Sequence, residues 1–227
     1  AFPDVYEVAM SHLGLKIIYS VLNAREDALA ERVYAPWVDM EAMMREKHIP
    51  LFSLENKCPV KDFDVLGFTM PYEMCYTNIL NMIDMAGIPV WAKDRTDEDP
   101  LVVAGGPCVY NAEPVADFFD VFFIGESEEA IGEMVDIVKA WKAEGKPGGR
   151  KEAIRRLAQI DGCYAPSLYE VSYYENGVFR SIRPIDEAAQ FPVKKRVIRD
   201  VDHVHIDDKP ILPHIEIVHD SAGLEMY

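Results

Sequence analysis

Four short segments combine glycine, hydroxyl side chains and free helix-start amides, the groups that let backbone approach a large ligand and donate hydrogen bonds to it. They are Ser11-His12-Leu13-Gly14, Thr69-Met70-Pro71-Tyr72-Glu73, Gly105-Gly106-Pro107-Cys108 and Gly125-Glu126-Ser127-Glu128. All of these residues except Met70 and Cys108 are candidate cofactor contacts. No residue is assigned as catalytic, and none as a metal ligand. His12 has no identifiable carboxylate partner, so a capping or packing role fits it better than that of a base. His203 and His205 share one face of a strand at i, i+2 and read as solvated histidines. The cysteines Cys58, Cys75, Cys108 and Cys163 are separated by 17, 33 and 55 positions. Clustered zinc or iron–sulfur ligands need shorter spacings, so these thiols read as small buried hydrophobes in a reducing cytoplasm. The chain has no G-x-G-x-x-G after its first strand, no G-x-x-x-x-G-K-[ST] and no G-x-S-x-G. These absences remove a nicotinamide Rossmann site, a P-loop and an esterase-type nucleophile elbow.

The elements that must hold the four segments alternate. Ala1-Phe2 reads as the end of a strand. Ser11 then caps a helix with Gly14, Ile17, Ile18, Val21 and Leu22 on one face, at the spacing of a buried stripe. Arg32 to Ala35 reads as extended, and Asp39 opens a helix with Met40, Met43 and Met44 turned inward. Val65 to Thr69 is a short apolar run of the kind a doubly covered parallel strand needs. A helix from about Met74 to Ala86 follows, capped at Gly87. Leu101–Ala104 and Val121–Ile124 are two more strands. A short helical piece around Glu113 to Phe119 lies between them, and a long helix from Glu126 to Ala143 follows. Five βα units predict an α/β, flavodoxin-like open parallel sheet with strand order 2-1-3-4-5. In such a sheet the four segments sit together outside the carboxyl ends of the strands, where ligands bind.

Lys146-Pro147-Gly148-Gly149 reads as a linker. Beyond it come a helix from Lys151 to Gln159 and a hairpin, Leu168 to Tyr174 and Val178 to Ile182, turned at Asn176-Gly177. A further strand is expected from Lys194 to Asp200. The expected domains are 1–148, an α/β unit, 149–213, an α+β connector, and 214–227, the beginning of a further domain. The chain has 227 residues and a formal charge of −16, with residues 1–150 at −13 and 151–227 at −3. An acidic surface disfavours non-specific binding to phosphate backbones, and no apolar run approaches the length of a bilayer-spanning helix. Both ends look cut: the first residue is Ala1, and the last, Tyr227, directly follows a strand-like alternation.

Several stretches together carry a family resemblance. They are Pro3 to Leu15, Glu31 to Glu41, Tyr76-Thr77-Asn78-Ile79-Leu80-Asn81-Met82, Ala104 to Cys108 and Ile124-Gly125-Glu126, with Ile215 to Asp220 and Leu224-Glu225 near the end. The chain resembles the B12-binding-type amino-terminal region of an uncharacterised family of bacterial radical SAM proteins. That resemblance implies a domain that places cobalamin against a radical SAM barrel of the same polypeptide, with contacts from the four segments. It also implies that the barrel carries a [4Fe–4S] cluster and S-adenosylmethionine, so that this stretch alone would be inactive. The cobalamin mutases carry Asp-x-His-x-x-Gly after the first strand. Here Met10 stands two residues before His12 and Gly14 two after, so His12 is given no cobalt-ligating role. The alternative reading is a B12-free docking domain of the same fold, covering the barrel or binding a partner. A flavin is disfavoured because Thr69 to Tyr72 lacks a run of hydroxyl donors. Bulky replacements at Gly105 or Gly125 are expected to block a ligand and leave the fold intact.

Overall fold

A computed structural model describes residues 1–198, Ile211 and His214. Three apolar runs form parallel neighbours: β1 (Val65–Thr69), β2 (Leu101–Gly105) and β3 (Val121–Phe123). The register pairs Leu66 with Val102 and Val103 with Val121. Val102, Val121 and Phe122 are fully buried, as strands covered on both faces require. β4 (Cys163–Tyr164) adds an antiparallel strand beyond β3.

The two earliest extended segments are shorter than the sequence predicts. Phe2 and Tyr34 form a single parallel bridge. On the other side the Ala1 amine donates to Gly67 O, and Thr69 N donates to Ala1 O at 3.0 Å, as a parallel neighbour of β1 would. The spatial succession Tyr34, Phe2, β1, β2, β3 therefore reproduces the 2-1-3-4-5 order, with strands one and two reduced to bridge contacts. The structure is α/β, as expected.

The helices are α1 (Tyr6–Ala9), α2 (Leu13–Asn23), α3 (Val38–Glu46), α4 (Tyr76–Met85), α5 (Ala130–Ala143) and α6 (Gly149–Leu157). Three differ from expectation in ways that matter. α2 is capped by His12 and not Ser11, because α1 and its turn occupy the chain through Ser11 and delay the helix start. On α3 only Met44 is buried, while Met40 and Met43 face outward. α5 starts at Ala130 because Glu126 to Glu129 are held in the loop before it.

α6 and β4 pack with this same layer, so residues from 149 into the 160s extend the α/β unit. The hairpin is formed by β5 (Tyr169–Tyr173) and β6 (Phe179–Pro184), with Gly177 at φ +81° in the turn where a side chain would be strained. A chain of ring contacts ties it to the core. Phe68 meets Phe119 at 6.1 Å, Phe119 meets Phe122 at 4.9 Å, and Phe122, Tyr164 and Tyr169 continue the series. Of the strand expected at Lys194 to Asp200, Arg196 forms one parallel bridge to Gly125, and residues 199 and 200 lie outside the described residues. His203, His205 and the segment 215–227 also lie outside them.

The amino ends of β2 and β3 are closed by an ionic cluster. Asp120 is buried and accepts from Val102 N at 2.7 Å, from Arg95 Nη1 at 3.2 Å and from Arg150 Nε at 3.2 Å. The remaining donors of both arginines reach backbone carbonyls: Arg95 contacts Pro89, Val90 and Phe118, and Arg150 contacts Asp99 and Pro100. A buried charge is tolerated only when paired and hydrogen-bonded in this way. This edge is therefore structural.

Candidate functional site at the carboxyl edge of the sheet

The crevice of a 2-1-3-4-5 sheet lies where strand order reverses, between the loops after strand one and after β1. Here this chain bridges it. Tyr72 Oη donates to Asp4 Oδ2 at 2.9 Å, and Asn78 Nδ2 donates to Pro3 O at 3.0 Å. The bond to Asp4 holds the Tyr72 hydroxyl in its protonated form and pushes its pKa up to about 12. The loop after strand one winds into α1, with Ala9 and Met10 buried.

The other residues of that loop serve the start of α2. Ser11 Oγ donates to Val8 O at 3.3 Å. His12 Nδ1 accepts from Leu15 N at 3.2 Å, and its ring lies 4.9 Å from that of Phe2. His12 is thus a cap and a packing group. Leu13 is half-buried, and Gly14 is exposed against the imidazole. Removing the cap with His12→Ala is expected to lower stability by about 1 kcal/mol. In urea unfolding this would appear as a lower midpoint at unchanged slope, and an unaltered midpoint would show that the cap contributes nothing.

After β1, Met70 is fully buried and locked to the β2 loop: its N–H donates to Gly105 O at 2.8 Å, and its carbonyl accepts from Cys108 N at 3.2 Å. A Cβ at Gly106, which has φ +104°, would lie 3.0 Å from Met70 O. Gly106 is therefore explained by the approach of this chain's own backbone. A Cβ at Gly105 would meet Ser127 Oγ at an ordinary 3.6 Å, so that position is roomier. Pro71 is half-buried, Glu73 and Pro107 are exposed, and Cys75 and Cys108 are buried free thiols. The buried Tyr76 hydroxyl lies beside Cys108, and burial pushes its pKa up to about 12.

The loop after β3 is covered most completely. Gly125 has φ +106°, and a Cβ there would stand 2.1 Å from Arg196 O. Arg196 N donates to Ile124 O at 2.8 Å, and Glu126 N donates to Arg196 O at 3.1 Å. The Arg196 guanidinium binds Glu129 at 2.8 Å and Glu133 at 2.6 Å, which raises its already high pKa. Ile198 N donates to the Glu126 carboxylate. The fold would not stay intact here when Gly125 is replaced, contrary to the sequence expectation, because the space a side chain needs holds backbone. Nothing in the spacing of Arg196 foretold this clasp, since its partners lie 63 to 72 residues away.

These residues do not fit a corrinoid. The crevice is spanned by the Tyr72–Asp4 hydrogen bond, and two of the glycines that would admit a ligand, Gly106 and Gly125, admit backbone instead. A cleft of about 490 Å³ adjoins the Arg196 clasp, lined by Asp161, Gln190, Lys194, Lys195, Arg196 and Val197. Among the described residues no three His, Cys, Asp or Glu side chains are placed to hold a metal ion, and no helix is long and apolar enough to cross a membrane.

An uncharacterized protein of Methanocaldococcus jannaschii is 39% identical over 87 residues, which cover 37% of this chain and 18% of that protein. This chain therefore spans a small part of that relative. No solved structure matches. The model of the family described as radical SAM proteins, N-terminal, matches residues 14–166, the stretch that runs from α2 through α3, the parallel strands, α4 to α6 and β4. The chain belongs to the family of amino-terminal regions of radical SAM proteins.

Proposed function

We propose that this chain is a cobalamin-free accessory domain of a radical SAM enzyme, a docking module packed beside the barrel that holds the [4Fe–4S] cluster and S-adenosylmethionine. Family membership supports the accessory role. The observation that carries the cobalamin-free part is the clasp of Arg196 over Gly125, together with the Tyr72–Asp4 bridge at the crevice. A ligand-binding edge keeps its glycines open, whereas here the chain itself takes up the close approach. The domain's own residues fix the backbone at this edge, and the chemistry belongs to the barrel.

The cobalamin reading, which follows from the family resemblance, makes the opposite prediction in one experiment. Hydroxocobalamin or methylcobalamin is titrated into the intact radical SAM protein and into this 227-residue chain, and the corrin absorbance and the Tm are followed. Neither should change. A saturable spectral shift or a Tm that rises with corrinoid concentration would restore cobalamin as the ligand.

A further inference from the structure

The carboxyl edge is closed to a cofactor, yet it is not a polar surface. Val8 lies on α1 after the first strand, and Trp37 and Val38 begin α3 after the second. Tyr72 and Met74 follow β1, and Tyr110 follows β2. All six side chains are exposed, Met74 at 85%, Val38 at 69%, Trp37 at 64% and Tyr110 at 62%. Parallel strands end on the same side, so these residues share one edge of the sheet. Scattered exposed apolar residues need no explanation, but a set gathered at the edge where α/β domains meet their ligands marks an interaction site. Its composition of Trp, Tyr and Met is that of interface anchors.

We infer that this apolar rim is the face on which the radical SAM barrel of the same polypeptide docks, an assignment that rests on the accessory-domain reading above. Two observations choose this occupant. The chain covers 18% of its relative, so most of such a protein lies outside it. Residues late in the chain also return to this edge from both sides. Arg196 is fixed at Gly125, and His214 N donates to Tyr6 Oη at 2.8 Å with the two rings 5.8 Å apart.

Methionine oxidation reads the rim directly. The intact protein is treated with dilute peroxide, and the rate at each methionine is measured by mass spectrometry. Met70 and Met82, both buried, give the protected limit, and the same protein unfolded in urea gives the free limit. Under a docked barrel Met74 reacts close to the protected limit, at a rate independent of protein concentration. Tyr110→Lys should then speed Met74 oxidation by about tenfold or more, because it places a charge in the contact. Met74 reacting at the free limit would overturn the assignment. So would protection lost on dilution to a monomer, which would make the occupant a second copy of the chain. The two readings fail separately. Met74 protected in protein that also binds corrinoid would overturn the cobalamin-free reading alone, and Met74 at the free limit in protein that binds none would overturn the docking face alone.

Discussion

Asp120→Ala is expected to destabilise the domain by about 3–5 kcal/mol, a large share of the roughly 5–15 kcal/mol that holds a domain folded. The substitution takes the shared acceptor from two arginines whose side chains are 0% and 8% exposed, and from Val102 N inside the sheet. Neither guanidinium has water to turn to. Asp120→Asn keeps an acceptor for Val102 but leaves two buried cations facing a neutral amide, so it should fall between the alanine variant and the parent. Chemical unfolding checks both. If Asp120→Ala unfolds within about 1 kcal/mol of the parent, the cluster is not what holds the amino edge.

Gly125→Val is the second large effect, and it acts at the opposite edge. The position has φ +106°, where a branched side chain costs about 1–3 kcal/mol in strain alone, and the new Cβ would stand 2.1 Å from Arg196 O. The backbone of Arg196 must leave. Its exit breaks the hydrogen bonds to Ile124 and Glu126 and the pairs with Glu129 and Glu133. Hydrogen exchange should show the Glu126 and Arg196 amides losing protection while Val102 and Val103 in β2 keep theirs. Unchanged protection at Arg196 would mean that the clasp is not closed by the glycine. The pairs are partly exposed, so Arg196→Ala should have a smaller effect than Gly125→Val.

The parallel strands were legible because each is a short apolar run next to a turn signal, and the hairpin because Asn176-Gly177 sits between two alternating runs. The 2-1-3-4-5 order followed from counting βα units. What escaped the sequence depends on distance along the chain. Asp120 meets Arg150 across 30 residues, and Glu126 meets Ile198 across 72. No local pattern records such partners. The α3 methionines show a different limit: periodicity places residues on a common face, but it does not say whether anything lies against that face, and Met40 and Met43 look outward. The candidate site was legible as a location, since all four glycine-bearing loops gather at one edge. Its occupancy was not, because glycine serves equally when the close neighbour is a ligand and when it is this chain's own backbone, as at Gly106 and Gly125.

Metal analysis of the intact protein, produced in cells supplied with cobalamin and purified without oxygen, tests the cobalamin-free accessory role most directly. The expected result is iron with matching sulfide, no stoichiometric cobalt and no corrin absorbance. Cobalt approaching one atom per chain, carried with a corrin spectrum through gel filtration, would contradict it.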